Sequence, residues 1–385
     1  MTEYIGKTPK ELEEELQRLI KDYNTKSGSY LVVYAAPTGK PIPDIPMCMD
    51  DYHVIYDMLR LKDAKNLDFY IETPGGSGEA AEEIAGFIRE KFQHIRFVVS
   101  GEAKSAGTIL VLSGNEIAMT RSGSLGPIDA QMKIGRSVIS AYDYLEWMRK
   151  KRVTAKKQGR LNPFDATMVA QVSPGELVGV ENAFKFAGDL VIEWLPRHKF
   201  RDWKKTETRG IPVTEEMKKK AAQNVVKSLS NHKKWRSHGR SIKIDDLEAM
   251  GLKVQRIDES PDVSEIVYRI QTVIRLLFTT TTTYKLFATA DEKIFKSAAQ
   301  GSPIQPIPQG AARFATLDVV CEKCGAAHKL YAKLLKDPKL DADFKGQGMV
   351  PFPKDNKLRC ACGFEIDLIG IRNELETKTG KGIVD

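Results

Sequence analysis

Ser105 stands in VVSGEAKSAGTILVLSGNEIAMT (Val98 to Thr120), where a β-rich run gives way to a stretch of small residues with helical character. A serine at such a turn has the amide of the next residue, Ala106, beside it. The positive end of the following helix then favours an alkoxide or an oxyanion, which suits a nucleophile. The same hydroxyl could instead be an N-cap, the ordinary role of a serine before a helix. A second segment, YIETPGGSGEAAEEI (Tyr70 to Ile84), runs from a strand into the glycine pair Gly75-Gly76 and then a helix. Glycines there leave amides bare enough to donate to an anion, although a tight turn alone would also require them.

Two other groups could do chemistry. Cys321-x-x-Cys324-Gly and Cys360-x-Cys362-Gly offer four thiolates in two hooks, as in a zinc ribbon, with His328 as a substitute for the fourth ligand. Cys48 is left over and reads as a small buried residue. RKKRVTAKKQGR (Arg149 to Arg160) carries seven basic residues and no acid, which suggests a solvated surface loop; nucleic acid is possible there but not favoured without interleaved aromatics.

The elements that must position these groups alternate. Thr8, Pro9 and Glu11 form a capping signature for a helix whose apolar face is Leu12, Leu16, Leu19 and Ile20. Strands are expected at Tyr30 to Ala36, Leu67 to Glu72, Ile95 to Ser100 and Glu116 to Thr120. Helices fall between them at Asp51 to Leu61, Gly78 to Phe92 and Ser105 to Gly114. This pattern predicts an α/β fold with a mostly parallel sheet and the site at the carboxyl ends of its strands. After Asp129 the chain turns helical, near Val138 to Lys151, Glu176 to Trp194, Glu215 to Leu229 and Ser264 to Phe278.

Five threonines (Thr279 to Thr283) and the proline-rich GSPIQPIPQGA (Gly301 to Ala311) suggest a linker. The expected domains are therefore a helix over 1–29, the main domain over 30–278, a linker over 279–311 and a zinc-ribbon-like domain over 312–385. At 385 residues with 42% hydrophobic and 29% charged residues, the composition excludes a disordered or fibrous chain. The lack of a long apolar run and the charged amino terminus predict a cytoplasmic protein with no membrane partner. Net charge is +8, which permits acidic partners without requiring them.

Together the glycine and serine segments resemble the Clp protease/crotonase superfamily. The Ser105 motif with SGSLGPID (Ser122 to Asp129) looks like the serine dehydratase proteinase branch, related to signal-peptide-peptidase-like serine peptidases. The interval from Gly76 to Ser105 matches the Clp spacing between oxyanion-hole glycine and nucleophile, and the resemblance runs from Tyr30 to Asp258. It implies a core of repeated ββα-like units with helical additions. By the same resemblance Ser105 is the nucleophile, the Gly76 and Ala106 amides form the oxyanion hole, and the protein is a homo-oligomer (trimer, hexamer or larger ring).

The sequence departs from the Clp pattern at the base. Where Clp proteases carry the triad histidine this chain has Ile128-Asp129-Ala130-Gln131, and beside the position of their aspartate it has His238, next to Gly239. Three readings stay open: His238 as base oriented by Asp129; a lysine base, with Lys104, Lys133 and Lys150 as candidates; or an inactive site. Asp129 could equally be a turn residue after Gly126-Pro127, and His53, His94, His198 and His232 read as structural. The resulting expectation is a serine peptidase acting on peptide or protein substrates through an acyl-enzyme, with structural zinc and no organic cofactor. The alternatives are a catalytically inactive scaffold binding peptide or nucleic acid, with the ribbon as recognition module, and, fitting less well, an acyl-CoA enzyme.

Overall fold

The computed structural model describes residues 2–4, 6–39, 42, 44–134, 137–206, 210–298, 313–321, 323–379 and 381–384. The chain divides into two compact units, Met1–Ala299 and Gln300–Asp385. In the first, the elements run α1 (Pro9–Ser27), β1 (Tyr30–Ala35), α2 (Met49–Leu59), β2 (Asn66–Glu72), α3 (Gly78–Lys91), β3 (His94–Val99), β4 (Glu102–Ala103), α4 (Ala106–Leu112) and β5 (Glu116–Met119). There follow β6 (Ser124–Leu125), β7 (Gln131–Ile134), β8 (Ser137–Ser140), α5 (Ala141–Gln158), α6 (Pro163–Ala170), α7 (Pro174–Arg197), α8 (Glu215–Leu229), α9 (His232–Trp235) and α10 (Ile244–Ala249). The unit closes with β9 (Gln255–Arg256), α11 (Pro261–Thr280), β10 (Thr283–Ala288) and β11 (Lys293–Ser297).

The main sheet has the order β11-β10-β1-β2-β3-β5-β9. Its five strands from β1 to β9 pair in parallel, while β10 and β11 add an antiparallel hairpin at one edge. The period of two along each strand sorts side chains between the faces. Phe69, Ile71, Phe97 and Val99 pack with residues of α2, α3, α4, α7 and α8, while Tyr70, Val98 and Ala118 pack with α1 and α11. Burying both faces in this way is what a parallel sheet requires. Helix α1 begins as its signature predicts: the Glu11 amide donates to Thr8 Oγ1, and the Thr8 amide donates to Glu11 Oε2 at 2.7 Å.

The expected linker over 279–311 is corrected at its start. Thr279 and Thr280 end α11, their hydroxyls donating to the carbonyls of Arg275 and Leu276, and Thr283 opens β10. Threonine hydroxyls can satisfy the last turn of a helix while β-branching suits the strand that follows, so the run joins two elements. The proline-rich stretch Gly301 to Ala311 lies outside the described residues.

One fully buried ion pair pins this hairpin to the core. Lys285 of β10 and Asp51 of α2 are both 0% exposed, with Nζ 2.7 Å from Oδ2. Asp51 also accepts from the Tyr34 hydroxyl at 3.0 Å and the Cys48 amide at 3.1 Å, and Lys285 donates to the Pro46 carbonyl at 3.1 Å. Buried charges persist only when so partnered.

The second unit contains β12 (Phe314–Val320), β13 (Ala327–Lys333), α12 (Pro338–Gly346), β14 (Val350–Pro351), β15 (Lys357–Arg359), β16 (Glu365–Asp367) and α13 (Ile369–Thr379). A three-stranded sheet β12-β13-β14 and a hairpin β15-β16 share a small core of Leu330, Ala332, Phe352, Leu358, Leu368 and Leu375.

Two outcomes follow for stability. Asp51→Ala strands the Lys285 ammonium and should cost about 3–5 kcal/mol in urea unfolding, whereas a loss under 1 kcal/mol would show the pair to be dispensable. Burial pushes the Glu72 carboxyl up to about 7, against the opposing effects of Arg275 and the Tyr70 hydrogen bond. Between an unfolded value near 4.5 and that folded value, the native chain keeps a proton that the unfolded chain has lost. Stability from this group therefore falls as pH rises through that window and is flat above it. Glu72→Gln should flatten that part of the stability profile and stabilise the protein at pH 8 by up to about 3 kcal/mol.

Candidate functional site

The serine turn is built by short-range pairing. The Thr73 amide donates to the Glu102 carbonyl at 2.7 Å and the Lys104 amide to the Thr73 carbonyl at 3.0 Å, which draws the glycine pair against the start of α4. A Cβ on Gly75 would lie 2.6 Å from the Ser105 Cβ, and one on Gly76 would lie 2.3 Å from the Met47 carbonyl oxygen. Both glycines are thus sterically required, at φ of 104° and 147°. The Met47 amide donates to the Gly75 carbonyl and the Ser77 amide to the Met47 carbonyl. The Gly76 amide is left without a partner among the described residues. Ala106, at the first helical position, likewise has no carbonyl inside its helix to donate to.

Ser105 itself has φ 51° and ψ −117°, and its hydroxyl does not cap α4. The N-cap alternative is therefore corrected: Ser105 occupies the N-cap position, but the positive φ turns its side chain away from the amides a cap would bind. No side chain among the described residues hydrogen-bonds the Ser105 hydroxyl.

Asp129 and His238 meet. Their Oδ1 and Nδ1 atoms are 2.9 Å apart, and Asp129 is 3% exposed. Burial pushes the Asp129 carboxyl up, but the His238 hydrogen bond and the nearby His238 and His232 imidazoles outweigh it and hold it below its ordinary range. His232, read from the sequence as structural, belongs to the same cluster. Its Nδ1 lies 3.6 Å from Asp129 Oδ2 and its Nε2 3.0 Å from Asp143, and its ring stacks on Tyr142. The only signal available for it was its place six residues before His238, which the single turn of α9 converts into a shared carboxylate. These two histidines border a cleft of about 760 Å³ with Tyr144, Trp147, Met168 and Val172 on its walls.

Of the lysines, Lys104 is buried with its ammonium bound to Ser124, Leu125, Arg240 and Ser241, and burial lowers its pKa. Lys150 is exposed on α5, and the side chain of Lys133 lies outside the described residues. The basic run is corrected from a loop to the second half of α5, where Arg149 pairs with Glu146 and Lys151 with Asp165.

In the second unit Cys321, Cys324, Cys360 and Cys362 bring their sulfurs within 4.8 Å of one another. The Cys321–Cys362 and Cys324–Cys360 separations are 3.7 and 3.6 Å. These are too long for disulfides and close to the roughly 3.8 Å edge of a tetrahedron with 2.3 Å metal–sulfur bonds. Gly325 and Gly363, at φ of 73° and 80°, turn each hook back on itself. The four cysteines could hold a metal ion, and His328, on β13, is not in the cluster.

Two uncharacterized proteins of Methanocaldococcus jannaschii match short stretches of the chain. One is 34% identical over 80 residues, covering 20% of this chain and 27% of the relative; the other is 37% identical over 68 residues, covering 18% and 24%. The matched stretches thus span about a quarter of the length of these curated relatives. Among solved structures, a variant of a membrane-bound stomatin-specific protease aligns with 57% of this chain and 76% of its own, at 13% identity and a TM-score of 0.30. A second variant, in complex with a substrate peptide, aligns with 59% and 94% at 15% identity and a TM-score of 0.23. Residues 38–157 match the family model of ClpP-like SDH-type serine proteinases, a range that holds Gly76, Ser105, Ala106 and Asp129 but not His238. Over this range the chain is similar to the ClpP-like SDH-type serine proteinases.

Proposed function

We propose that the protein is a serine peptidase that hydrolyses peptide bonds through an acyl-enzyme on Ser105. The observation that carries this reading is the serine turn: a positive φ at a non-glycine residue, a hydroxyl that caps nothing, Gly75 packed against it, and the Gly76 and Ala106 amides without a partner among the described residues. Backbone strain of this kind persists where surrounding packing enforces it, and it is a feature of nucleophile turns. In the proposed reaction His238 takes the Ser105 proton as Oγ attacks the substrate carbonyl, and the two amides receive the oxyanion. The same imidazole then returns the proton to the leaving amine, and Asp129 stabilises the imidazolium. Water attacks the acyl group in the second half, with His238 again the base. The cleft beside His238, with its aromatic and apolar walls, suits a peptide side chain.

The lysine alternative loses support from Lys104, whose ammonium is committed to four acceptors. The inactive scaffold has one observation in its favour: no hydrogen bond joins Ser105 to His238 among the described residues. Catalytic hydrogen bonds are often open without substrate, so the peptidase remains the better account. A homo-oligomer and a cytoplasmic setting stay part of the proposal. The ion we assign to the four cysteines is zinc, in a structural role, because four thiolates in a closed tetrahedral set leave no open position for catalysis.

A fluorophosphonate probe should label the wild-type protein at one residue, and Ser105→Ala should abolish labelling with an unchanged melting temperature. The labelling rate should rise with pH, as a reaction that needs an unprotonated base does, and His238→Ala should lower it about a hundredfold or more. Labelling of Ser105→Ala at the wild-type level removes the serine from the mechanism.

Metal analysis should find one zinc per chain. Chelation, or Cys321→Ala, should unfold the second unit, as metal binding and folding are coupled, while probe labelling in the first unit persists. Metal-free protein with the second unit intact would count against the assignment.

A further inference from the structure

Lys104 precedes the serine, yet its side chain runs away from the turn and ends among atoms of two distant segments. Its Nζ lies 3.2 Å from both the Ser124 hydroxyl and the Leu125 carbonyl, on the stretch that leads four residues later to Asp129. It also lies 3.4 Å from the Arg240 carbonyl and 3.0 Å from the Ser241 hydroxyl, just after His238. The residue is 5% exposed, and the nearest carboxylate, Glu102, stands 3.6 Å away on β4.

We propose that Lys104 is a positioning residue that holds the Asp129 and His238 segments in register with the Ser105 turn. The proposal rests on the peptidase reading for its functional consequence. An ammonium has three protons and no lone pair, so it can gather several acceptors around one point but cannot replace any of them. Here two carbonyls and two hydroxyls from separate segments converge on a cation that is joined by the backbone to the nucleophile. Burying a lysine against mostly neutral dipoles is costly, and burial lowers its pKa, so the contact is not one that a solvated surface would select.

The surroundings fit a clamp. A Cβ on Gly126 would come within 2.9 Å of Lys104 Cδ, so the chain toward Asp129 passes directly over the lysine stem. Leu125 and Ile242 exchange both backbone hydrogen bonds, at 2.9 and 3.0 Å, so the two segments already run side by side. Their pairing does not by itself fix their distance from Ser105, and Lys104 supplies that third connection. Lys243, whose Nζ donates to the Ser122 and Gly123 carbonyls, closes the outer side of the same pair.

The test uses the full chain with Lys104→Met and reads two quantities. The first is the pH profile of fluorophosphonate labelling at Ser105. A lost clamp should lower the plateau rate at least tenfold and leave the midpoint of the rise where it was, because His238 remains the base. A lost base would shift or abolish the rise itself, and that result overturns the proposal. The second is the imidazole NMR signal of His238, which should change when its contact with Asp129 is disturbed. An unchanged signal together with an unchanged plateau also overturns it. If the wild type takes no label, the peptidase reading fails on its own, and the His238 signal alone decides the clamp. If Lys104→Met does not fold, Ser241→Ala removes one acceptor, with an expected loss of about threefold in plateau rate; wild-type labelling and an unchanged His238 signal in that variant overturn the clamp.

Discussion

The backbone at Ser105, held at φ 51° and ψ −117°, is the constraint on which the rest of the site depends. Such a conformation costs a non-glycine residue about 1–3 kcal/mol, and it persists only where neighbours leave no relaxed alternative. Gly75 supplies one neighbour, packed so closely that a methyl group there would collide with the Ser105 side chain. The pairing of Thr73 with Glu102 and Lys104 supplies another, and the first turn of α4 fixes the far side. The hydroxyl is thereby left out of the helix cap, and the Gly76 and Ala106 amides have no partner among the described residues.

Buried cations support this turn from two directions. On one side Lys285 binds Asp51 and the Pro46 carbonyl, next to Met47, whose backbone pairs with Gly75 and Ser77. That ion pair therefore sits one residue from the strand-like contact that shapes the glycine loop. On the other side Lys104 gathers the segments of Asp129 and His238. In both places a buried lysine ammonium binds loop backbone, the Pro46 carbonyl in one case and the Leu125 and Arg240 carbonyls in the other. A geometry set by multiple donors from one rigid point moves less than one set by surface contacts.

Much of this was legible locally. The capping box at Thr8, the parallel strands from Tyr30 to Met119 and the two cysteine hooks all follow from spacing within a few residues. Of the long-range pairings, only that of Asp129 with His238 was among the readings, and it came through the family resemblance. Nothing near Asp51 indicates Lys285, 234 residues away, and nothing near Asp129 indicates that His232 would share it as well. The threonine run misled because its composition suits a linker, while its hydroxyls close one helix and its β-branching opens a strand. Helix α5 starts later than its apolar spacing suggests because Val138 and Ser140 are taken up by the β7-β8 hairpin.

The exchange of acid and histidine relative to the Clp pattern is compatible with unchanged chemistry, since a triad is recognised by geometry and roles rather than by chain order. Turnover requires His238 to reach the Ser105 hydroxyl when the site is filled. An experimental structure of the protein reacted with a peptide boronate or fluorophosphonate tests this most directly. The account predicts a bond to Ser105 Oγ, one adduct oxygen within hydrogen-bond distance of both the Gly76 and Ala106 amides, and His238 Nε2 turned toward Ser105 with Nδ1 still on Asp129. An adduct on another residue, or one on Ser105 whose oxygen meets neither amide while His238 stays remote, would contradict it.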